Sequence, residues 1–121
     1  MKTTIYGIKN CSTMKKAFDW LNDRGVDFDF HDYKKAGIDQ HTLARWCDAV
    51  GWETLVNKRG TTWRKLTPES QQIDGRDDAI ALMVAHPSLI KRPVLETGGG
   101  AVLVGFDPEV LAGRVPSGAT T

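Results

Sequence analysis

The N-terminal part of the chain changes its hydrophobic period twice, and this pattern constrains the fold most. Residues 3–6 form a short run rich in β-branched side chains that breaks at Gly7. Residues 12–24 repeat apolar side chains every three or four positions, as an amphipathic helix does. Residues 26–33 alternate apolar and polar side chains, as a strand with one solvated face does. The order strand, helix, strand predicts a βαβ unit with parallel strands.

The middle of the chain predicts helices. Asp39 is placed to cap a helix over about 40–50, and Gly51 is placed to end it. A polar, turn-rich connection with short helical pieces follows. Another helix opens at Asp74 or Arg76 and ends near His86. We expect these inward-facing side chains in the two longer helices: Leu43, Trp46, Cys47, Val50, Ile80, Met83 and Val84.

The C-terminal part predicts two strands and a helix. The segments RPVLET and AVLVG flank three glycines, which indicates a hairpin, and Asp107 followed by Pro108 is typical of a helix start. The whole order is that of the α/β thioredoxin-type arrangement: a mixed four-stranded sheet made from βαβ and ββα halves, with a helical insertion at about 38–86. We expect one domain over residues 1–115 and a flexible tail over 116–121.

Composition excludes several classes of function. The formal net charge of the 121 residues is +1, which gives no electrostatic case for a nucleic-acid or membrane partner. The N-terminus lacks the apolar segment of a signal peptide, and no apolar run approaches a membrane span. We therefore expect a cytoplasmic protein with reduced thiols. Neither of the two cysteines has metal-ligand spacing around it, so no metal site is predicted.

Cys11 lies where the first strand gives way to the first helix. Unpaired backbone N–H groups and the helix dipole at such a position favour a thiolate, and Lys9 and Lys15 are placed to add positive charge. The structural alternative is a small buried apolar side chain. The second cysteine, Cys47, lies in an apolar helical stripe and is predicted to be inert. Met14 stands where a second motif cysteine would be, so an active Cys11 needs glutathione, another protein or Cys47 as its thiol partner.

Three segments carry a resemblance to a known family: IYGIKNCSTMKKA, LVNKRGTTWRKL and HPSLIKRPVL. Together, over roughly residues 3–114, the chain resembles the arsenate reductase (ArsC)/Spx family, most closely its YffB-type branch. The resemblance implies a thioredoxin fold with a helical insertion, Cys11 as the reactive thiol and a cis Arg92–Pro93 bond. It also implies that the backbone beside Pro93 can pair with a peptide ligand.

The chain departs from the arsenate reductases that it resembles. Those proteins carry a histidine four residues before the cysteine and three oxyanion-binding arginines. Here Gly7 takes the histidine position, Arg92 fills one arginine position, and Asn57 and Gly105 take the other two. Arg59 or Arg64 remains open as a spatial substitute. Spx, a regulator that binds RNA polymerase, resembles the chain in fold, but its switch is a CxxC pair that this sequence lacks.

These observations predict an enzyme: a glutathione-dependent monothiol reductase with Cys11 as the catalytic thiolate. Glutathione is the expected co-substrate, no cofactor is tightly bound, a glutaredoxin or protein substrate is a further candidate partner, and the protein is expected to be a monomer. The alternatives are an Spx-like interaction or regulatory module and an arsenate reductase with a degraded oxyanion site. The predicted substrate and glutathione contacts are Arg92, Pro93, Lys9, Asn10, Ser12, Lys15, Asn57 and Arg59.

Overall fold

The computed structural model describes residues 3–115, so the predicted tail over 116–121 lies outside the described residues. The chain divides into two compact units. The first unit joins both ends of the chain, up to Asp32 and from Arg92 onward, and the second unit is Tyr33–Lys91. The insertion predicted at about 38–86 lies within the second unit, which begins and ends several residues outside it. That residues 1–115 act as a single domain stays a prediction.

The first unit contains a mixed four-stranded sheet, as predicted. Its strands are β1 (Thr3–Gly7), β2 (Phe28–Asp32), β3 (Val94–Glu96) and β4 (Val102–Val104), in the order β2-β1-β3-β4. Strands β1 and β2 are parallel, whereas β1 pairs with β3, and β3 with β4, in antiparallel fashion. The thioredoxin-like arrangement of βαβ and ββα halves is therefore confirmed.

The predicted hairpin between β3 and β4 is also confirmed. The backbone N–H of Thr97 donates to the carbonyl of Ala101 at 2.9 Å, which closes the turn. Gly100 has a φ of +91°, a backbone conformation that disfavours any side chain. One of the three glycines is thus required by the backbone of the turn.

Two helices of the first unit, α1 (Ser12–Asp23) and α7 (Pro108–Arg114), contribute buried side chains to the core that includes the sheet. Helix α7 begins where predicted, since the Asp107 carboxylate accepts a hydrogen bond from the N–H of Glu109 at 3.1 Å. The buried core cluster consists of Ile5, Met14, Ala17, Leu21, Val26, Leu95, Leu103, Leu111 and Val115.

Strand β2 is shorter than the sequence predicts, and one side chain that the pattern places on its buried face is exposed. The alternation over 26–33 places Phe30 on the buried face, but its side chain is 36% exposed. The reason is that β2 is an edge strand, so Phe30 has sheet neighbours on one side. Its ring meets Phe18 of α1 edge to face, with centroids 5.0 Å apart. Tyr33, which the pattern assigns to the strand, instead begins a helical turn.

The second unit is helical. Its helices are α2 (Tyr33–Ala36), α3 (Gln40–Val50), α4 (Trp52–Leu55), α5 (Thr61–Lys65) and α6 (Arg76–Ala85), followed by a 3₁₀ turn, Pro87–Leu89. The predicted bounds of α3 are confirmed. The Asp39 carboxylate accepts from the N–H of Thr42 at 2.7 Å, and Gly51, with a φ of +85°, follows the last turn.

The inward face predicted for α6 is partly wrong. Ala79 and Met83 are fully buried, but Val84 is 40% exposed and Ile80 is half-buried. Successive helical residues are about 100° apart, so a narrow buried stripe centred on Ala79 and Met83 leaves Val84 at its margin. No helix within residues 3–115 is both long and apolar enough to cross a bilayer.

Candidate functional site

Cys11 is the N-cap residue of α1. Its backbone is extended, with φ −140° and ψ 131°, and its carbonyl accepts the first helical hydrogen bond, from the N–H of Lys15 at 3.0 Å. The chain leaves β1 at Gly7 and reaches this position through three residues without regular structure. The half-buried thiol therefore lies at the helix N-terminus that the sequence predicts.

The surroundings of Cys11 favour its thiolate. Partial burial raises the pKa of the thiol, but the backbone N–H groups of Met14 and Thr13 and the guanidinium of Arg92 outweigh this and hold the pKa below its ordinary value. The thiol makes no hydrogen bond of regular capping geometry, so the two N–H groups act on the sulfur mainly as oriented dipoles. A thiolate is the nucleophilic form of cysteine.

Arg92 brings a positive charge to Cys11 from a distant part of the sequence. Its side chain donates a hydrogen bond to the sulfur. It precedes β3, and the Arg92–Pro93 peptide bond is cis, as the family resemblance implies. Pro93 is buried, and its carbonyl accepts a hydrogen bond from the N–H of Gly105 at 2.8 Å. That carbonyl is thus used within the first unit, and a contact between Pro93 and glutathione stays a prediction.

The other predicted contacts of the first unit surround Cys11 in sequence. Lys9 and Asn10 lie in the bend before α1, and Ser12 and Lys15 lie in its first turn; all four are exposed. The charge that lowers the pKa of Cys11 comes from Arg92 and not, as the sequence suggests, from Lys9 and Lys15. Both lysines are exposed, and solvent screens the charge of an exposed ammonium group.

Gly7 and Met14 form a close contact that sequence reasoning missed. Gly7 is buried, and a Cβ atom built on it would lie 2.3 Å from the Sδ atom of Met14 and 2.6 Å from its Cε atom. A side chain at position 7 therefore requires Met14 to move. The sequence offered two signals, a glycine at a histidine position and a methionine at the second cysteine position, but nothing in it showed that they touch.

Asn57 and Arg59 lie in the second unit, in a segment held by its own contacts. The Asn57 side-chain oxygen accepts from the N–H of Arg59 at 3.1 Å, and the Arg64 guanidinium donates to the carbonyl of Arg59 at 2.9 Å. The Lys58 ammonium lies 5.4 Å from the ring centroid of Trp63. These contacts give the segment a structural role, and a contact of Asn57 or Arg59 with glutathione stays a prediction.

Cys47 differs from Cys11 in its deeper burial and in the direction in which its pKa is shifted. It lies on α3 with a residue exposure of 8%, and burial raises the pKa of its thiol. Both cysteines are free thiols. Within residues 3–115, no three histidine, cysteine or acidic side chains are grouped closely enough to hold a metal ion.

Comparison with known proteins identifies the family. The model of the ArsC family matches residues 6–113, nearly the whole described chain. This protein belongs to the ArsC family. Its membership confirms the resemblance carried by the three sequence segments and agrees with thiol-based redox chemistry.

Several members and relatives of the ArsC family are similar to the chain. A solved protein named YFFB is 50% identical, with a TM-score of 0.90 over 95% of this chain and 100% of its own. An arsenate reductase (ArsC) related protein from Brucella melitensis is 51% identical, with a TM-score of 0.71 over 94% of each chain. The global transcriptional regulator Spx of Streptococcus pyogenes is 26% identical over 76% of this chain and 69% of its own.

Proposed function

We propose that this protein is a glutathione-dependent monothiol reductase in which Cys11 is the nucleophile. The observation that carries the proposal is the position of the Cys11 sulfur, at a helix N-terminus with the Arg92 guanidinium hydrogen-bonded to it. Both features lower the pKa of the thiol, so a larger fraction is thiolate near neutral pH. Cys47, with a raised pKa and a buried side chain, offers no comparable nucleophile.

The proposed reaction exchanges one disulfide for another in two steps. The Cys11 thiolate attacks the glutathione sulfur of a mixed disulfide between glutathione and a substrate thiol. A bond forms between Cys11 and glutathione, and the substrate leaves as a thiolate that takes a proton from water. A second glutathione thiolate then attacks the glutathione sulfur held on Cys11, which yields glutathione disulfide and restores the Cys11 thiolate. The net change converts the mixed disulfide and one added glutathione into the free substrate thiol and glutathione disulfide, so the added glutathione is oxidised and the substrate sulfur is reduced.

An external second thiol is needed because Met14 stands at the motif position where a resolving cysteine would act. Glutathione is the abundant thiol in the reducing cytoplasm of many cells. We propose the cytoplasm as the compartment of this protein. A glutaredoxin or a protein thiol is the alternative source of the same electrons.

Arg92 is the proposed main charged contact of glutathione. A guanidinium carries five N–H donors in a planar fork, so one of its edges can bind a glutathione carboxylate while another N–H keeps its bond to the Cys11 sulfur. Exposed Lys9, Asn10, Ser12 and Lys15 surround the thiol in sequence and are proposed as further contacts. A contact of Asn57 or Arg59 with glutathione stays a prediction from the sequence.

Arsenate reduction is the alternative enzymatic function, and it is favoured by the relative from Brucella melitensis whose name refers to it. Arsenate requires several fixed cationic donors next to the thiolate. In the first unit, Arg92 is the arginine that acts on Cys11. Arg24 stacks over the Trp20 ring with 4.5 Å to its centroid, and Arg114 is exposed in the last turn of α7. The described part of this unit therefore suits a thiol substrate better than a small oxyanion.

An Spx-like interaction module is the non-enzymatic alternative, and the regulator from Streptococcus pyogenes supports it. A docking module of this kind would present a contiguous apolar patch. The large apolar side chains exposed within residues 3–115 are Phe30, Val84 and Val110, which lie on three different elements. Three exposed large apolar side chains within the described residues are few for a docking patch, so the module has less support than the thiol site gives the reductase.

The decisive experiment measures turnover of a glutathionylated peptide and of arsenate, each with glutathione as the electron donor. Glutathione disulfide is followed through a coupled glutathione reductase. We expect turnover of the peptide by the wild type and by Cys47→Ser, and none by Cys11→Ser. The proposed reaction is contradicted if Cys11→Ser still turns over the peptide. It is also contradicted if the wild type turns over arsenate and does not turn over the peptide. No turnover of either substrate, with binding to RNA polymerase in a pull-down, would favour the interaction module.

A further inference from the structure

The contact between Gly7 and Met14 joins the end of β1 to the first turn of α1. Gly7 is the last residue of β1, and Met14 is three residues after the N-cap Cys11. The Met14 Sδ and Cε atoms occupy the space where a Cβ of residue 7 would be. The thioether end of Met14 is therefore seated directly against the backbone of the strand.

Met14 has little room to move elsewhere. Its side chain is 0% exposed and belongs to the core cluster of the first unit, together with Ile5, Ala17 and Leu95. The Met14 Cγ atom, at 3.4 Å from the position that a Cβ of residue 7 would take, is at ordinary contact distance, so the clash is confined to Sδ and Cε. These two atoms can move away only into space that the close-packed core already fills, and the displacement then passes to the backbone that carries the side chain.

The backbone of Met14 is part of the thiol site. Its N–H group, with that of Thr13, points toward the sulfur of Cys11, and Cys11 itself packs against the core cluster that contains Met14. The same residue thus has its side chain locked against β1 and its N–H group directed at the thiol. A small shift of this turn changes the alignment of both N–H dipoles with the sulfur.

We propose that Met14 is a positioning residue for Cys11: its side chain, seated on Gly7, fixes the first turn of α1 so that the N–H groups of Thr13 and Met14 face the sulfur. Gly7 is the necessary partner in this contact, because only a residue without a Cβ atom leaves room for the thioether of Met14. The inference rests on the proposed function only in taking Cys11 as the reactive thiol. It concerns how the thiolate is stabilised and not which substrate it attacks.

The test is the pH dependence of Cys11 alkylation by iodoacetamide, in the full chain carrying Cys47→Ser. We expect Gly7→Ala to raise the midpoint toward about 8.5, the value of an unperturbed thiol. Adding Met14→Ala to Gly7→Ala removes the clash but not the loss of the anchor, so the midpoint should fall from that of Gly7→Ala to that of Met14→Ala alone, between Gly7→Ala and the parent protein. This rescue is a readout that general destabilisation would not give, because the double variant loses more core packing than either single change.

The matched control is Gly113→Ala, a glycine on α7 of the same unit whose added Cβ meets no atom within 4 Å. Its midpoint should equal that of the parent. If Gly7→Ala does not fold, Met14→Ala alone decides, and its midpoint should rise because the turn has lost its anchor. An unchanged midpoint in folded Gly7→Ala, or no rescue in the double variant, overturns the proposal. The assay contains no glutathione, so a failure of the proposed reductase activity leaves this result separate.

Discussion

The guanidinium of Arg92 donates a hydrogen bond to the sulfur of Cys11, although the whole second unit separates the two residues in sequence. The antiparallel pairing of β3 with β1 brings them together, since Arg92 leads into β3 and Cys11 follows β1. The thiol thus receives two kinds of electrostatic support. One is local and comes from the backbone N–H groups of the helix that Cys11 caps. The other comes from Arg92, which follows the insertion in the sequence.

Replacing Arg92 should raise the pKa of Cys11. Arg92→Ala removes both the hydrogen bond and the charge that lower this pKa, so the alkylation midpoint should move upward toward the ordinary thiol value. Arg92→Lys keeps a charge without the planar fork and should fall between the two. The matched control is Arg24→Ala, which removes an arginine that stacks on Trp20. An unchanged alkylation midpoint in Arg92→Ala would show that Arg92 does not lower the pKa of Cys11.

The same substitution should weaken glutathione binding. Losing a charge-assisted hydrogen bond typically costs about 1.5–3 kcal/mol, which corresponds to roughly ten- to a hundredfold in affinity. Titration of glutathione into ¹⁵N-labelled wild type and Arg92→Ala, followed by NMR, measures both affinities. We expect shift changes near Cys11 in the wild type. If these shift changes are absent, or if the variant binds glutathione with wild-type affinity, the interaction module becomes the better-supported function.

Cys47 should be dispensable for the chemistry. Cys47→Ala shortens a buried side chain and should lower the free energy of unfolding by about 1 kcal/mol, a typical value for a single substitution. Glutathione-dependent turnover and the alkylation midpoint of Cys11 should be unchanged. Urea unfolding and the turnover assay measure the two effects. A stable disulfide between Cys11 and Cys47 after mild oxidation, detected by mass spectrometry, would show that the monothiol mechanism is wrong.

Asp39 should make the stability of the fold sensitive to acid. Hydrogen bonds from Thr42 lower the pKa of its carboxyl, so the carboxylate is favoured in the folded state. Its stabilising contribution is fully present above the unfolded pKa of about 3.9 and is lost as the pH falls through the lower folded pKa.

Asp39→Ala should therefore lower the melting temperature near neutral pH and reduce the further loss below about pH 4. Asp39→Asn keeps a capping oxygen that does not titrate, so it should retain more of the stability and show the same reduced acid sensitivity as Asp39→Ala. Circular dichroism melts across this pH range measure both. Equal melting temperatures for the three proteins near neutral pH would contradict a capping role.

Local signals in the sequence determined the position of the candidate thiol. The change of period around Gly7 placed Cys11 between a strand and a helix, and the N-cap geometry agrees with it. Caps such as Asp39 and Asp107 were also predictable, because a capping side chain binds backbone only two or three residues away. Interactions of this range are written in consecutive residues, so a single sequence is enough to find them.

Long-range packing decided the rest. The sequence named Lys9 and Lys15 as the charges near Cys11, because they are its neighbours in the chain, but the charge that acts on the sulfur is that of Arg92. Only the family resemblance linked Arg92 to the site beforehand. The spacing of residues along the chain does not show which strands pair. The pairing of β1 with β3 in the structure is what brings Arg92 to Cys11.

The sequence by itself determined the order of the elements, the mixed sheet and the helix N-terminus that carries Cys11. The tertiary structure alone decided that Phe30 and Val84 are exposed and that Met14 fills the space above Gly7. The physical reason is that periodicity gives the direction in which a side chain points, whereas burial and contact depend on what the rest of the chain places in that direction.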